Sequence, residues 1–190
     1  MERPIIAVLA GGDSTRMGSD KAAIPFASST MLETVLDSVS SVGDPIVVGR
    51  TKAPHGVPAI LDRRTDSRGP LTGLETVLRH EPGRTVALIA VDHPFVRPQT
   101  LRAMLALEGD AVIPLDAEWQ QVTCAVYRPP FLVAASDTLD NGCRSIITAL
   151  GLVTVNLVAT DTWRSWGEDG RSWFSVDTPE RLDEGLRRFG

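Results

Sequence analysis

"IIAVLAGGDSTRMGSDKA", residues 5–22, joins two kinds of sequence. Ile5 to Val8 run apolar without a polar break, as in a strand covered on both faces. The chain then enters a loop holding Gly11, Gly12 and Gly18 together with Arg16, Asp20 and Lys21. Adjacent glycines let a backbone approach a ligand closely and turn N–H groups toward phosphate oxygens. Arg16 offers a planar fork and Lys21 a compact charge. Together they suit a nucleoside triphosphate and the charge that builds on its phosphates during reaction. A glycine-rich turn with solvated charges is the plainer alternative. Two familiar phosphate loops fail on spacing. Gly11 and Gly12 are adjacent, which breaks G-x-G-x-x-G, and Ser19 and Asp20 separate Gly18 from Lys21, which breaks the Walker pattern.

Outward from this loop, strand-like and helix-like segments alternate. Strands are expected at 4–10, 45–48, 57–61, 85–91, 110–114, 121–127 and 152–158. Helices are expected at 30–42, 73–80, 100–107, 129–139, 145–150 and 179–189. Thr30 and Glu33 match a capping box, and Gly43 suits the far end of that helix. Such alternation predicts an α/β domain: a single-domain, Rossmann-like three-layer sandwich over residues 1–190, with a mostly parallel central sheet and helices on both faces. Ligands of such sheets bind at the carboxyl ends of the strands, near a topological switch point. The glycine loop leaves the carboxyl end of the first strand. Asp92 follows the apolar strand that ends at Val91, so it is expected at the same edge.

The 190 residues suit one domain with a sizeable core. Hydrophobic residues make up 43% and charged residues 23%, as in soluble globular chains. A net charge of −5 argues against a general nucleic-acid binder, though a local basic pocket for phosphate is compatible with it. No apolar run approaches the roughly 20 residues of a membrane span, and Met1-Glu2-Arg3-Pro4 lacks the basic-then-apolar pattern of a signal peptide. Cys124 and Cys143 have no CxxC spacing, and the three histidines have no zinc-ligand spacing. A cytoplasmic protein with reduced thiols is expected.

At "LAGGDSTRMGSDKA" the chain resembles the nucleotidyltransferases of the nucleotide-diphospho-sugar transferase fold, and most closely the molybdenum cofactor guanylyltransferase (MobA) family. "RGPLTGLETVL" at 68–78, "ALIAVDHPFV" at 87–96 and "FSVDTPERL" at 174–182 agree in order, so the resemblance spans almost the whole chain. It implies GTP and molybdopterin as substrates. The terminal phosphate of molybdopterin attacks the α-phosphate of GTP, pyrophosphate leaves, and a guanine dinucleotide cofactor forms. Such chemistry needs alignment, positive charge and a metal ion, for which Mg2+ with carboxylates, phosphates and water is suited.

The resemblance also implies residue roles. Arg16, Lys21 and Asp92 are the expected catalytic residues. Leu9, Ala10, Gly11, Gly12, Lys21, Asp66 and Asp92 are the expected nucleotide contacts, with Leu9, Ala10 and Gly11 lining guanine through main-chain groups. Asp92 is the expected metal ligand. Asp177 is a second metal ligand or else, with Thr178, a cap of the last helix. Asp66 has a plainer role as a solvated acid among Arg63, Arg64 and Arg68. Gly69 and Gly73 are expected beside the nucleotide, or simply in the turn into a helix. Transient contact with cofactor-biosynthesis proteins or molybdoenzyme chaperones is implied, and neither nucleic acid nor membrane.

Three departures stand against the family pattern. "VVGRTK" at 47–52 has Gly49 where the family often has asparagine. "QQVTCAVY" at 120–127 leaves Gln121 and Thr123 as polar contacts. "DTPE" at 177–180 replaces "NTPE". Arg144 is expected as a surface charge at a helix start, with a pterin phosphate contact as the alternative. The four tryptophans are expected in packing, with pterin stacking as the alternative, and "DTWRSWGEDGRSW" at 161–173 is expected to be a loop. Rival functions are a related nucleotidyltransferase using CTP or a sugar-phosphate acceptor, and a nucleotide-binding regulatory module without turnover. "LAGG" favours guanine, because a side chain there would narrow the base pocket.

Overall fold

The computed structural model describes residues 2–11, 20–26, 28–65 and 69–190. Its centre is β1 (Ile5–Leu9). Ile5 and Ala7 pack on one face of the sheet, and Ile6, Val8 and Ala10 pack on the other. The two-residue period of a strand therefore sends β1 into two separate cores, which is why its sequence never turns polar.

Parallel neighbours flank β1. On one side lie β4 (Asp44–Val48) and then β5 (Ala59–Ile60), and on the other lies β6 (Val86–Ala90). Beyond β6 come β9 (Cys124–Tyr127), β7 (Ala111–Asp116) and β10 (Val155–Val158). β9 runs antiparallel between β6 and β7, while β7 and β10 are parallel. A short β8 (Trp119–Gln120) folds back on β7 through Ala117, which has φ 51°. β2 (Pro25–Phe26) and β3 (Ser29–Thr30) form a separate ribbon. The expectation of a mostly parallel sheet holds, with β9 and the short β8 the strands that reverse.

Helices cover both faces. The first core gathers residues from α2 (Pro70–His80), α4 (Phe131–Asp140) and α5 (Ile146–Leu150). The second gathers α1 (Met31–Val39), α3 (Pro98–Leu105) and Trp163 of α6 (Thr160–Ser165). A third cluster joins Phe26, Met31, Phe95 and Phe174 to Leu182 and Phe189 of α7 (Pro179–Phe189).

Local chemistry sets the boundaries. Thr30 accepts from the Glu33 N–H while the Glu33 carboxylate accepts from the Thr30 N–H, so the expected capping box is present. That helix stops at Val39 rather than reaching Gly43; Ser40 closes it, and Gly43 instead lies where an added Cβ would fall 2.2 Å from the Pro4 carbonyl. α2 starts at Pro70, three residues before the expected start, because Gly69 at φ 137° turns the chain and proline fits the first helical position.

The segment expected as a loop at 161–173 is instead built around α6 and a 3-10 turn at Arg171–Trp173. Its reason is indole packing. Trp163 and Trp173 are buried edge-to-face at 5.0 Å, and their N–H groups donate to the Leu115 carbonyl and the Asp116 carboxylate. Buried Glu168 gathers the rest, accepting from the hydroxyls of Thr100 and Ser172 and from the N–H of Gly170.

Candidate active site

The chain crosses from one half of the sheet to the other beside β1, whose successors β4 and β5 lie to one side and β6 to the other. Leu9 and Ala90 are partners at the carboxyl ends of β1 and β6. This is the crevice where open α/β sheets take their ligands. The Ala10 N–H donates to the Val48 carbonyl, and the Val91 N–H donates to Leu9. The main-chain groups of Leu9, Ala10 and Gly11 thus emerge between β4 and β6.

Here two glycines meet. Gly49 follows β4 at φ 88°, and a Cβ on it would lie 2.4 Å from Gly11 Cα. A Cβ on Gly11 would lie 2.8 Å from Gly49 Cα. Real Cβ atoms do not come that close to a backbone, so both positions require glycine for this approach. Gly49, a lost side-chain contact by sequence, is therefore half of a backbone junction. Gly73 on α2 faces a side chain instead, where an added Cβ would lie 2.6 Å from Leu9 Cδ2.

Lys21 and Asp92 arrive from opposite sides. Asp20 caps a 3-10 turn at Lys21–Ala23 by accepting from the Ala22 N–H. Lys21 Nζ donates to Asp92 Oδ2 at 2.9 Å, and each side chain is only 20% exposed. Burial alone would raise the Asp92 carboxyl above its ordinary value. His93, Lys21 and a hydrogen bond from Ser175 outweigh that and hold it below. Desolvation holds His93 below the usual imidazole value despite Asp92 beside it, so it carries no charge near neutrality. Near pH 7, then, Lys21 is the cation that keeps Asp92 ionised. The His93 ring is held through a hydrogen bond between Nε2 and Thr123 Oγ1 at 3.1 Å.

Asp177 approaches the same aspartate through the backbone. The Val176 N–H donates to the Asp92 carbonyl at 2.8 Å, so Asp177 is one residue past a direct main-chain tie to Asp92. The cap of α7 is Thr178, whose hydroxyl accepts from the Arg181 N–H. Among the described residues, no three or more His, Cys, Asp or Glu side chains converge as a metal site. Gly12, Arg16 and Asp66 lie outside the described residues.

Several side chains escaped the sequence. Arg50 Nε donates to the Ala10 carbonyl at 3.1 Å, and its Nη2 pairs with Asp20 Oδ1. The fully buried Glu75 accepts two hydrogen bonds from Arg64 at 2.9 Å each and one from Arg79 at 3.1 Å. Arg64 therefore serves α2 and Asp140, at 2.7 Å, rather than solvent. The signal for Glu75 was a lone acid on an apolar helix face, with Arg79 one turn later. The signal for Arg50 was a strand end adjoining a glycine. Arg144 is exposed beside Ser145, the cap of α5. Trp119 is the exposed tryptophan, at 77%, on the β8 hairpin.

Glycine-joined strand ends and a lysine–carboxylate pair at a switch point define a protein built to hold a phosphorylated nucleotide. The family model of the MobA-like NTP transferase domain matches residues 6–154. The chain belongs to this family and is a nucleotidyltransferase. A Natronomonas pharaonis protein named "Probable molybdenum cofactor guanylyltransferase" is 31% identical over 96% of both chains. The molybdenum cofactor guanylyltransferase of Desulfosudis oleivorans is 28% identical over 93% of this chain and 91% of its own. Among solved structures, the molybdopterin-guanine dinucleotide biosynthesis protein A of Archaeoglobus fulgidus shares the fold at a TM-score of 0.85, with 23% identity over 96% of this chain and 97% of that one. No helix among the described residues is long and apolar enough to cross a membrane.

Proposed function

We propose that this protein transfers GMP from GTP to the terminal phosphate of molybdopterin, forming a guanine dinucleotide cofactor and releasing pyrophosphate. The observation that carries this reading is the half-buried Lys21–Asp92 pair at the carboxyl edge of β1 and β6, beside the Gly11–Gly49 junction. In the reaction an acceptor phosphate oxygen bonds to the α-phosphorus of GTP while the bond from that phosphorus to the β-phosphate bridging oxygen breaks. Lys21 and Arg16 hold the phosphates and balance their growing charge. Leu9, Ala10, Gly11 and Gly12 present main-chain groups to base and phosphates, and Asp66 contacts the nucleotide.

Asp92 would hold Mg2+, with Asp177 supplying a second carboxylate. A hard carboxylate such as Asp92, whose carboxyl is held below its ordinary value, fits this ion, which takes one or two carboxylates and completes its shell with phosphates and water. Bound there, the ion would neutralise phosphate charge and help align the reacting groups. The reaction belongs in the cytoplasm, with the product passed through transient contacts to cofactor-biosynthesis proteins or molybdoenzyme chaperones.

The test is pyrophosphate release from purified protein with magnesium and intact molybdopterin, comparing GTP, CTP and ATP. Release with GTP alone, together with a guanine-linked pterin, supports the reading. Release with CTP reassigns the base. Silence with all three nucleotides removes the guanylyltransferase reading.

A further inference from the structure

We infer that Arg50 is a positioning residue that staples Ala10 to Asp20, and so fixes the turn that presents Lys21 to a nucleoside triphosphate. The inference deepens the proposed function at the same site. Ala10 and Asp20 flank the loop in sequence. One guanidinium reaches both: Nε donates to the Ala10 carbonyl at 3.1 Å, and Nη2 pairs with the Asp20 carboxylate. The same Asp20 oxygen accepts from the Ala22 N–H at 3.2 Å, so the staple extends into the turn that carries Lys21.

Gly49 makes this reach possible. Its φ of 88° and its bare Cα let β4 end directly against Gly11, which delivers the next side chain over the loop's ends. Glycine and arginine thus work as a unit at the position where the family resemblance places an asparagine. A planar fork can bind a carbonyl and a carboxylate at once, whereas an ammonium is a single point charge. Holding the loop's ends before the nucleotide arrives lowers the ordering cost that binding must meet. Arg50 makes no bond to Lys21 or Asp92 in the structure, so its influence passes through the backbone of residues 10 and 20–22.

The test compares full-length Arg50→Ala, Arg50→Lys and Asp20→Asn with the parent protein. Asp20→Asn keeps an acceptor for the Ala22 N–H but removes the charge that meets Arg50. Amide hydrogen exchange at Ala22 and Ala23 reads the staple without any ligand. In Arg50→Ala it should accelerate about tenfold while the core amides of Val8 and Ile89 keep their protection. With GTP, KM should rise about 10-fold to 50-fold while kcat stays within about threefold. Arg50→Lys should recover part of the KM, and a double variant carrying Arg50→Ala with Asp20→Asn should differ little from Arg50→Ala alone. Unchanged exchange at Ala22 and Ala23 in Arg50→Ala overturns the staple, as does faster exchange spread evenly over the core. If the parent turns over no GTP yet Arg50→Ala still frees those two amides, the staple stands and the proposed function fails.

Discussion

Lys21 and Asp92 are 71 residues apart in sequence and 2.9 Å apart in space, with water largely excluded from both. A carboxylate in such a place stays charged because favourable partners face it, here the Lys21 cation together with a hydrogen bond from Ser175. The pair is therefore poised for exchange. On the proposed reading, Lys21 would turn to the entering phosphates and Asp92 would be left to hold a metal ion. Asp92→Asn keeps the shape and removes the charge. We expect it to lower kcat for pyrophosphate release at least about 100-fold, the scale of losing one charge-stabilising group, while the thermal midpoint moves by only a few degrees. Turnover at the parent rate would remove Asp92 from the reaction. Each residue of the pair stood out in sequence, Asp92 at an apolar strand end and Lys21 in a glycine loop, but their contact with each other did not. Arg50 and Glu75 did not stand out. Neither their type nor their spacing shows that one meets Ala10 and Asp20 and the other meets Arg64, since those partners come together only when distant segments pack.

At the level of elements, the strands of the sheet and the long helices declared themselves through periodicity, and α7 occupies the expected span. What stayed hidden was a set of short elements: the β2–β3 ribbon, β8 and α6. Each is too short to show a period, and each is held by particular side chains. The aromatic cluster under α7 is the clearest case. Phe95 lies three residues after Asp92 and packs against Phe26, Phe174 and Phe189 at 5.2, 6.1 and 5.3 Å between ring centroids. Gly185 on α7 admits it, for a Cβ there would fall 2.4 Å from the Phe95 ring. Gly185→Ala brings two opposed effects. Helix propensity favours alanine by about 1 kcal/mol, whereas overpacking a ring already braced on three others costs about 1–3 kcal/mol. The second should win. Urea unfolding should show a net loss of about 1 kcal/mol, and activity should fall with it if Phe95 moves the Asp92 turn. A variant more stable than the parent would mean that the ring has room to retreat.

Across the whole molecule, one buried acid joins three parts of the chain. Glu75 on α2 binds Arg64 from the loop after β5, Arg79 from its own helix, and the hydroxyl of Ser136 on α4. Its carboxyl is held at about 2, against a usual value near 4.5; the Arg64 hydrogen bonds are the main cause and outweigh burial, which acts the other way. The sign of the pH effect follows. Because the folded state binds this proton more weakly than the unfolded state, the network's contribution is complete above about pH 4.5 and drains away as pH falls toward 2. The interval between those two values corresponds to about 3 kcal/mol, and solvent around the partly exposed Arg64 reduces it to about 2. Glu75→Gln should destabilise the protein at pH 7 by about 3 kcal/mol, because it leaves Arg64 facing a buried amide. Urea titrations at a series of pH values would then show parent and variant converging between pH 4.5 and pH 2. A gap that stays constant over that interval would mean that Glu75 gains nothing from its charge and is held by packing alone. Convergence would show that the loop carrying Arg63 to Thr65 is anchored electrostatically to α2.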